Sequence, residues 1–120
     1  MRVWLYGRLS NDDDAPVNSL ENQMEILRAY AAEKRYRIVG ESWDDNVSGM
    51  RFDRKGLEQV SRMAEAGLLD AVIVKDLSRL GRHRTQTALF IDFLRGCGVA
   101  VLSVTEGLNT LEDEDNLVIG

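Results

Sequence analysis

The chain of 120 residues holds one cysteine, one histidine and one proline. A lone thiol, Cys97, cannot build an internal disulfide framework, which fits a reducing, cytoplasmic setting. A lone imidazole, His83, leaves no His/Cys cluster of the kind that holds zinc, and no metal or cofactor is expected. No run of about 18 apolar residues occurs, so no membrane-spanning helix is expected. The N-terminus lacks the basic, apolar and small-residue regions of a secretory signal. Neither a Gly-x-Gly-x-x-Gly nor a Walker A stretch is found, which disfavours nucleotide binding of those kinds. An excess of positive charge is missing as well: the net charge is −5. Its distribution matters more than its sum. Acid gathers in Asp12-Asp13-Asp14, Asp44-Asp45 and Glu112–Asp115, and base gathers around Arg51, Arg54, Lys55 and around Arg79, Arg82, Arg84.

What is present supports one domain, 1–120, with a real core, since 44% of residues are hydrophobic. Residues 2–9 are almost continuously apolar, as in a strand covered on both faces. A polar loop follows, then a helix beginning after Asn18, whose side chain can cap it, with Glu21 at the capping-box position. Leu20, Met24, Leu27 and Ala31 share one helical face. A second strand is expected over 37–43 and a second loop over 44–56. A helix from about Asp53 turns Leu57, Val60, Ala64 and Leu68 inward. Asp70–Lys75 is a third strand, Thr85–Gly96 a third helix with Gly98 near its C-cap, and Val99–Val104 a fourth strand. This alternation implies an α/β fold in three layers: a mostly parallel sheet of about four strands with helices on both faces.

That architecture has a consequence for function. Ligands of open α/β sheets bind at the carboxyl edge of the strands. The segments after the first three strands carry Arg8 and Ser10, Arg51 and Arg54, and Arg79 and Arg82, so parallel strands bring them to one edge. Arg8 and Ser10 lie roughly 6.6 Å apart at Cα on extended chain, within reach of a common target. Their plainer reading is a snorkelling arginine and a turn-capping serine. With no Gly-x-Ser-x-Gly elbow and one imidazole, a Ser-His-Asp scheme is disfavoured. Arg79 and Arg82 share a face if their segment opens a helix. As exposed side chains they would add little to folding. Permanently charged, forked guanidiniums suit a phosphate with two free oxygens. A serine with several arginines and no metal ligands therefore suggests phosphoryl transfer stabilised by guanidinium groups. Asp44 and Asp45 are expected to cap or hydrate a loop, Cys97 to be a core thiol, and Trp4 and Trp43 to be core rather than base-stacking platforms.

Several segments together resemble the serine recombinases, the resolvase/invertase group: Tyr6-x-Arg8-x-Ser10, Ser19-x-Glu21-Asn22-Gln23, Asp45-x-Val47-Ser48-Gly49 with Arg54-x-Gly56-Leu57, and Lys75-Asp76-Leu77-Ser78-Arg79-Leu80-Gly81-Arg82. The order continues to Glu106-Gly107 and Asn116-Leu117. Two stretches, KDLSRLGR and VSG, look closer to the large, integrase-like or transposon branch. The resemblance implies that Ser10 attacks a DNA phosphodiester, forms a covalent phosphoserine link and frees a 3′ hydroxyl, with strand exchange and rejoining that need no ATP. It implies that Arg8, Arg54, Arg79 and Arg82 hold the scissile phosphate and that Gln23 supports the pocket. Many small resolvases have an aspartate where this chain has Ser78, which leaves the proton donor open, with Asp76 a candidate. The implied partner is double-stranded DNA at a recombination site, with no membrane and no small-molecule substrate. Dimers or tetramers, a dimerisation helix and DNA-binding domains belong to the full-length protein, and the chain alone is expected to bind DNA poorly. The alternative is a regulatory or DNA-associated module of the same fold without catalysis.

Overall fold

In the computed structural model, which describes residues 1–9, 19–45, 54–81 and 83–111, the apolar run near the N-terminus becomes β1 (Arg2–Leu9). It is followed by α1 (Leu20–Glu33), β2 (Arg37–Asp45), α2 (Lys55–Glu65), β3 (Ala71–Val74), a 3-10 turn (Leu77–Leu80), α3 (Arg84–Gly96), β4 (Ala100–Ser103) and β5 (Leu108–Asn109). The sheet order is β2-β1-β3-β4-β5. The first four strands pair in parallel, and β5 runs antiparallel to β4. The expected sheet of about four strands thus gains a fifth. At two residues, β5 is too short to show any alternation of its own.

Alternate residues of each inner strand serve opposite faces. Val3, Leu5, Ala71, Ile73, Ala100 and Leu102 pack with Met24, Leu27 and Ala31 of α1. Trp4, Tyr6, Val72, Val74 and Val101 pack on the other face with Leu57, Val60 and Ala64 of α2 and Leu94 of α3. One helix on one face and two on the other is what right-handed crossovers demand of this strand order.

Local chemistry departs from expectation at four points. Ser19, not Asn18, caps α1: its hydroxyl accepts from Asn22 N at 3.1 Å, so Glu21 does not occupy the capping-box position. Leu68 lies beyond α2 and is 47% exposed, and its neighbour Leu69 fills the core instead. Trp43 is 53% exposed whereas Trp4 is buried, because β2 is an edge strand and its outer residues have less to pack against. Cys97, the C-cap of α3, is only half-buried against the core rather than enclosed in it. Gly98 does follow that cap with φ 75°, the left-handed turn that glycine permits without strain.

No helix among the described residues is long and apolar enough to cross a membrane.

Candidate functional site

In an open parallel sheet the crevice forms where strand order reverses, outside the carboxyl ends of the two strands flanking that point. Here those strands are β1 and β3. β1 carries Arg8 next to its last residue, Leu9, and β3 leads through Asp76 into the 3-10 turn that carries Arg79.

Arg8 is buried, and its guanidinium turns onto the main chain of that turn. Its Nε donates to the carbonyl of Arg79 at 3.1 Å, and its Nη2 donates to the carbonyls of Ser78 at 2.6 Å and Gly81 at 3.1 Å. Arg54, the N-cap residue of α2, donates from Nη2 to the intervening carbonyl of Leu80 at 2.9 Å. The carbonyls of residues 78–81 are therefore gripped by two arginines from two other elements. Helix ends present carbonyl oxygens with no partner of their own and attract cations, so this short turn gathers positive charge at the crevice.

Arg79 answers in the opposite direction. Its Nη1 donates to the Arg8 carbonyl at 2.8 Å, while Nε and Nη2 reach Asp76 Oδ2 at 3.3 Å. Asp76 also caps the turn, accepting from Ser78 N at 3.1 Å and from the Ser78 hydroxyl. Gln23, fully buried on α1, accepts from Arg8 N at 3.2 Å and donates from Nε2 to the Arg8 carbonyl at 2.9 Å. It thus pairs with Arg8 as a neighbouring strand would, on the side of β1 where the ladder to β3 has ended at Leu5.

Of the candidates named from the sequence, Arg8, Gln23, Arg54, Asp76 and Arg79 meet at this edge. Ser10 and Arg82 lie outside the described residues. The expectation that Arg79 is an exposed arginine is corrected, since it is 4% exposed and built into the fold. The 3-10 turn points it inward, a geometry that a helical or extended reading of LSRLGR does not contain.

Three further residues support this edge, none of them expected there from the sequence. Asp44 lies in β2 rather than in a loop, paired in register with Arg8. It is buried, accepts from Tyr6 Oη at 2.7 Å, and caps α2 from outside that helix by accepting from Gly56 N at 2.7 Å and Leu57 N at 3.1 Å. Burial, together with the hydrogen bond to Asp44, raises the Tyr6 phenol well above its ordinary range, while the charges of Arg8 and Arg54 pull it back. Ser42, one rung earlier, accepts from Trp4 Nε1 at 2.9 Å and donates to the Gly56 carbonyl at 2.8 Å. Glu106 accepts from Leu77 N at 3.2 Å and is held by the Ser103 hydroxyl, fixing the start of the 3-10 turn. The contacts of Ser42 and Asp44 join residues 12 to 38 apart in sequence and follow from the register of β2 on β1.

Beside Arg54, Leu57, Glu58, Ser61 and Phe90 line a cavity of about 260 Å³ between α2 and α3. No group of three or more His, Cys, Asp or Glu placed to hold a metal occurs among the described residues.

The sequence matches the family model described as resolvase, N terminal domain, over residues 3–120. It is 33% identical to the transposon Tn3 resolvase of Escherichia coli over 119 residues, which cover 99% of this chain and 58% of that protein. Over 68 residues it is 34% identical to the DNA-invertase of Escherichia phage P1, covering 57% of this chain and 36% of the invertase. The chain thus spans a little over half the length of the Tn3 resolvase and less of the invertase. Among solved structures, a resolvase family site-specific recombinase from Streptococcus pneumoniae superposes with a TM-score of 0.85 at 26% identity, covering 99% of this chain and 82% of that one. The N-terminal catalytic domain of TP901-1 integrase shares the fold, with a TM-score of 0.81 at 23% identity over 98% of this chain and 88% of that one.

Proposed function

The chain belongs to the resolvase N-terminal domain family of site-specific recombinases, and from that premise we propose that it is the catalytic domain of a DNA strand-transferase with Ser10 as nucleophile. Ser10 Oγ attacks the phosphorus of a DNA phosphodiester and loses its proton. The bond from phosphorus to the 3′ oxygen breaks, and that oxygen leaves as a 3′ hydroxyl after taking up a proton. The phosphate stays on Ser10 as a diester, so its bond energy is kept and the reverse attack by a 3′ hydroxyl rejoins strands without ATP.

The observation that carries this reading is the convergence of Arg8 and Arg54 on the four-residue strip that carries Arg79, whose guanidinium reaches back to the Arg8 carbonyl. Negative charge grows on the equatorial oxygens in phosphoryl transfer, and preset guanidinium groups stabilise it there without reorganising solvent. Arg82, one residue past the strip, is assigned to the same phosphate. Gln23 keeps Arg8 in place through its main chain. Asp76 faces Arg79 with one carboxylate oxygen and Ser78 with the other, an arrangement suited to holding Arg79. Whether it also protonates the leaving oxygen is decided by the Asp76→Asn variant, which keeps the shape and removes the acid.

Partners follow from the same reading: double-stranded DNA at a recombination site, and further copies of the protein. The deciding experiment joins the chain to downstream dimerisation and DNA-binding segments and supplies DNA carrying the matching recombination site. A covalent protein–DNA adduct forms with Ser10 and is lost with Ser10→Ala. An adduct that persists in a folded Ser10→Ala protein removes Ser10 from the role.

A further inference from the structure

Two buried hydrogen-bonded rungs run in parallel from β1 through β2 to the first turn of α2. The upper one is Trp4–Ser42–Gly56 carbonyl, and the lower one is Tyr6–Asp44–Gly56 and Leu57 N–H. Both end on the turn that follows Arg54. Gly56 makes the seating possible, since a Cβ there would lie 2.5 Å from the Trp43 carbonyl. Arg54, at the N-cap, makes no capping bond with its own side chain. A guanidinium has only donors and cannot cap these N–H groups, so the carboxylate of Asp44 supplies the cap across the strand, while Arg54 donates to the Leu80 carbonyl. Asp44 is also the register partner of Arg8, and both arginine charges are felt at the Tyr6 hydroxyl bonded to it.

We propose that Asp44, braced by Tyr6, is a positioning residue for Arg54, setting where that guanidinium meets the phosphate relative to Arg8. The role in cleavage rests on the recombinase reading above, whereas the placement of Arg54 does not. Asp44 touches no reacting atom. It acts by fixing the first turn of α2, and a carboxylate suits this because it accepts two amide protons and a phenol proton at once.

The test has two arms. In the chain itself, labelled with nitrogen-15, Asp44→Asn should shift or broaden the Arg54 Nε–H resonance and speed amide exchange at Gly56 and Leu57 by tenfold or more. Unchanged Arg54 signals would overturn the proposal. In the chain joined to its DNA-binding segments, Asp44→Asn should slow Ser10–DNA adduct formation by tenfold or more. Added to Arg54→Ala, it should cost less than about a further twofold, because residues acting as a unit are non-additive. An equal loss in both backgrounds would mean that Asp44 acts by another route, and no loss would mean that it does not act. Should Asp44→Asn fail to fold, Tyr6→Phe carries both arms, with a loss of about threefold and the same non-additivity. If no Ser10-dependent adduct forms at all, the recombinase reading falls, and the Arg54 resonance alone upholds or overturns the clamp.

Discussion

Arg8 and Arg79, 71 residues apart, hold each other by their main chains: Arg8 Nε donates to the Arg79 carbonyl at 3.1 Å and Arg79 Nη1 to the Arg8 carbonyl at 2.8 Å. Two like charges sit side by side with each guanidinium solvated by the other's backbone carbonyl, and Asp76 adds a counter-charge on the Arg79 side. Each arginine therefore serves the fold as well as the crevice.

Arg79→Ala should then destabilise the domain by about 1–3 kcal/mol, since it strips Asp76 of its cation and the Arg8 carbonyl of one donor in a buried setting. Arg79→Lys should recover little of this, because one ammonium cannot span Asp76 and the Arg8 carbonyl as a fork does. Urea unfolding of the chain measures both. A midpoint within error of the parent for Arg79→Ala would return this residue to the exposed arginines that add little to folding, as its sequence context suggests.

Gly56→Ala is a helix-favouring change on propensity alone, worth up to about 1 kcal/mol. Here it should cost about 1–3 kcal/mol instead, since the new methyl would press on the main chain of Trp43 and push α2 off β2. Thermal or urea melts give the sign directly. A stabilised Gly56→Ala protein would mean that α2 does not seat against β2 as closely as described.

Two surface pairs set a small acid dependence. Hydrogen bonds from the Arg2 side chain and main chain hold the Asp70 carboxyl below its ordinary 3.8, and the Arg28 guanidinium holds Glu41 below 4.5. A depressed pKa means fewer protons bound folded than unfolded, so each contribution is complete above the ordinary value. It is lost as pH falls through the folded value. Exposure keeps both contributions small. The difference in unfolding free energy between parent and Asp70→Asn should be level from about pH 6 to 8 and close below about pH 4. A difference that persists undiminished at the acid end would contradict the assignment.

The strand–helix alternation, the parallel sheet and the shared edge of Arg8, Arg54 and Arg79 were legible in the sequence because burial on two faces leaves long apolar runs and because parallel strands share one carboxyl end. What was illegible follows from contacts between distant segments. The cap of α2 comes from Asp44, on a strand 12 residues upstream of Gly56, so no local capping pattern betrays it. Trp43 looks like core in sequence and is exposed because β2 happens to be an edge strand. Arg79 looks exposed and is buried because the 3-10 turn rotates it inward onto Arg8.

DNA affinity offers a last check on how the site divides its labour. The chain carries a net charge of −5, and among its described residues the arginines at the crevice are Arg8, Arg54 and Arg79. A site that neutralises about two or three phosphates should show a salt slope of only about −2 to −3 in log affinity against log salt. Binding by the chain alone should accordingly be weak and indifferent to sequence, with phosphate contacts positioning the backbone and no base edges read. Arg54→Ala should flatten the slope by about one, while a substitution on the far surface such as Arg95→Ala should leave it unchanged. Fluorescence anisotropy with a labelled duplex across salt concentrations reads both. A tight, sequence-specific complex formed by the chain alone would place recognition in this domain, alongside the chemistry proposed for it.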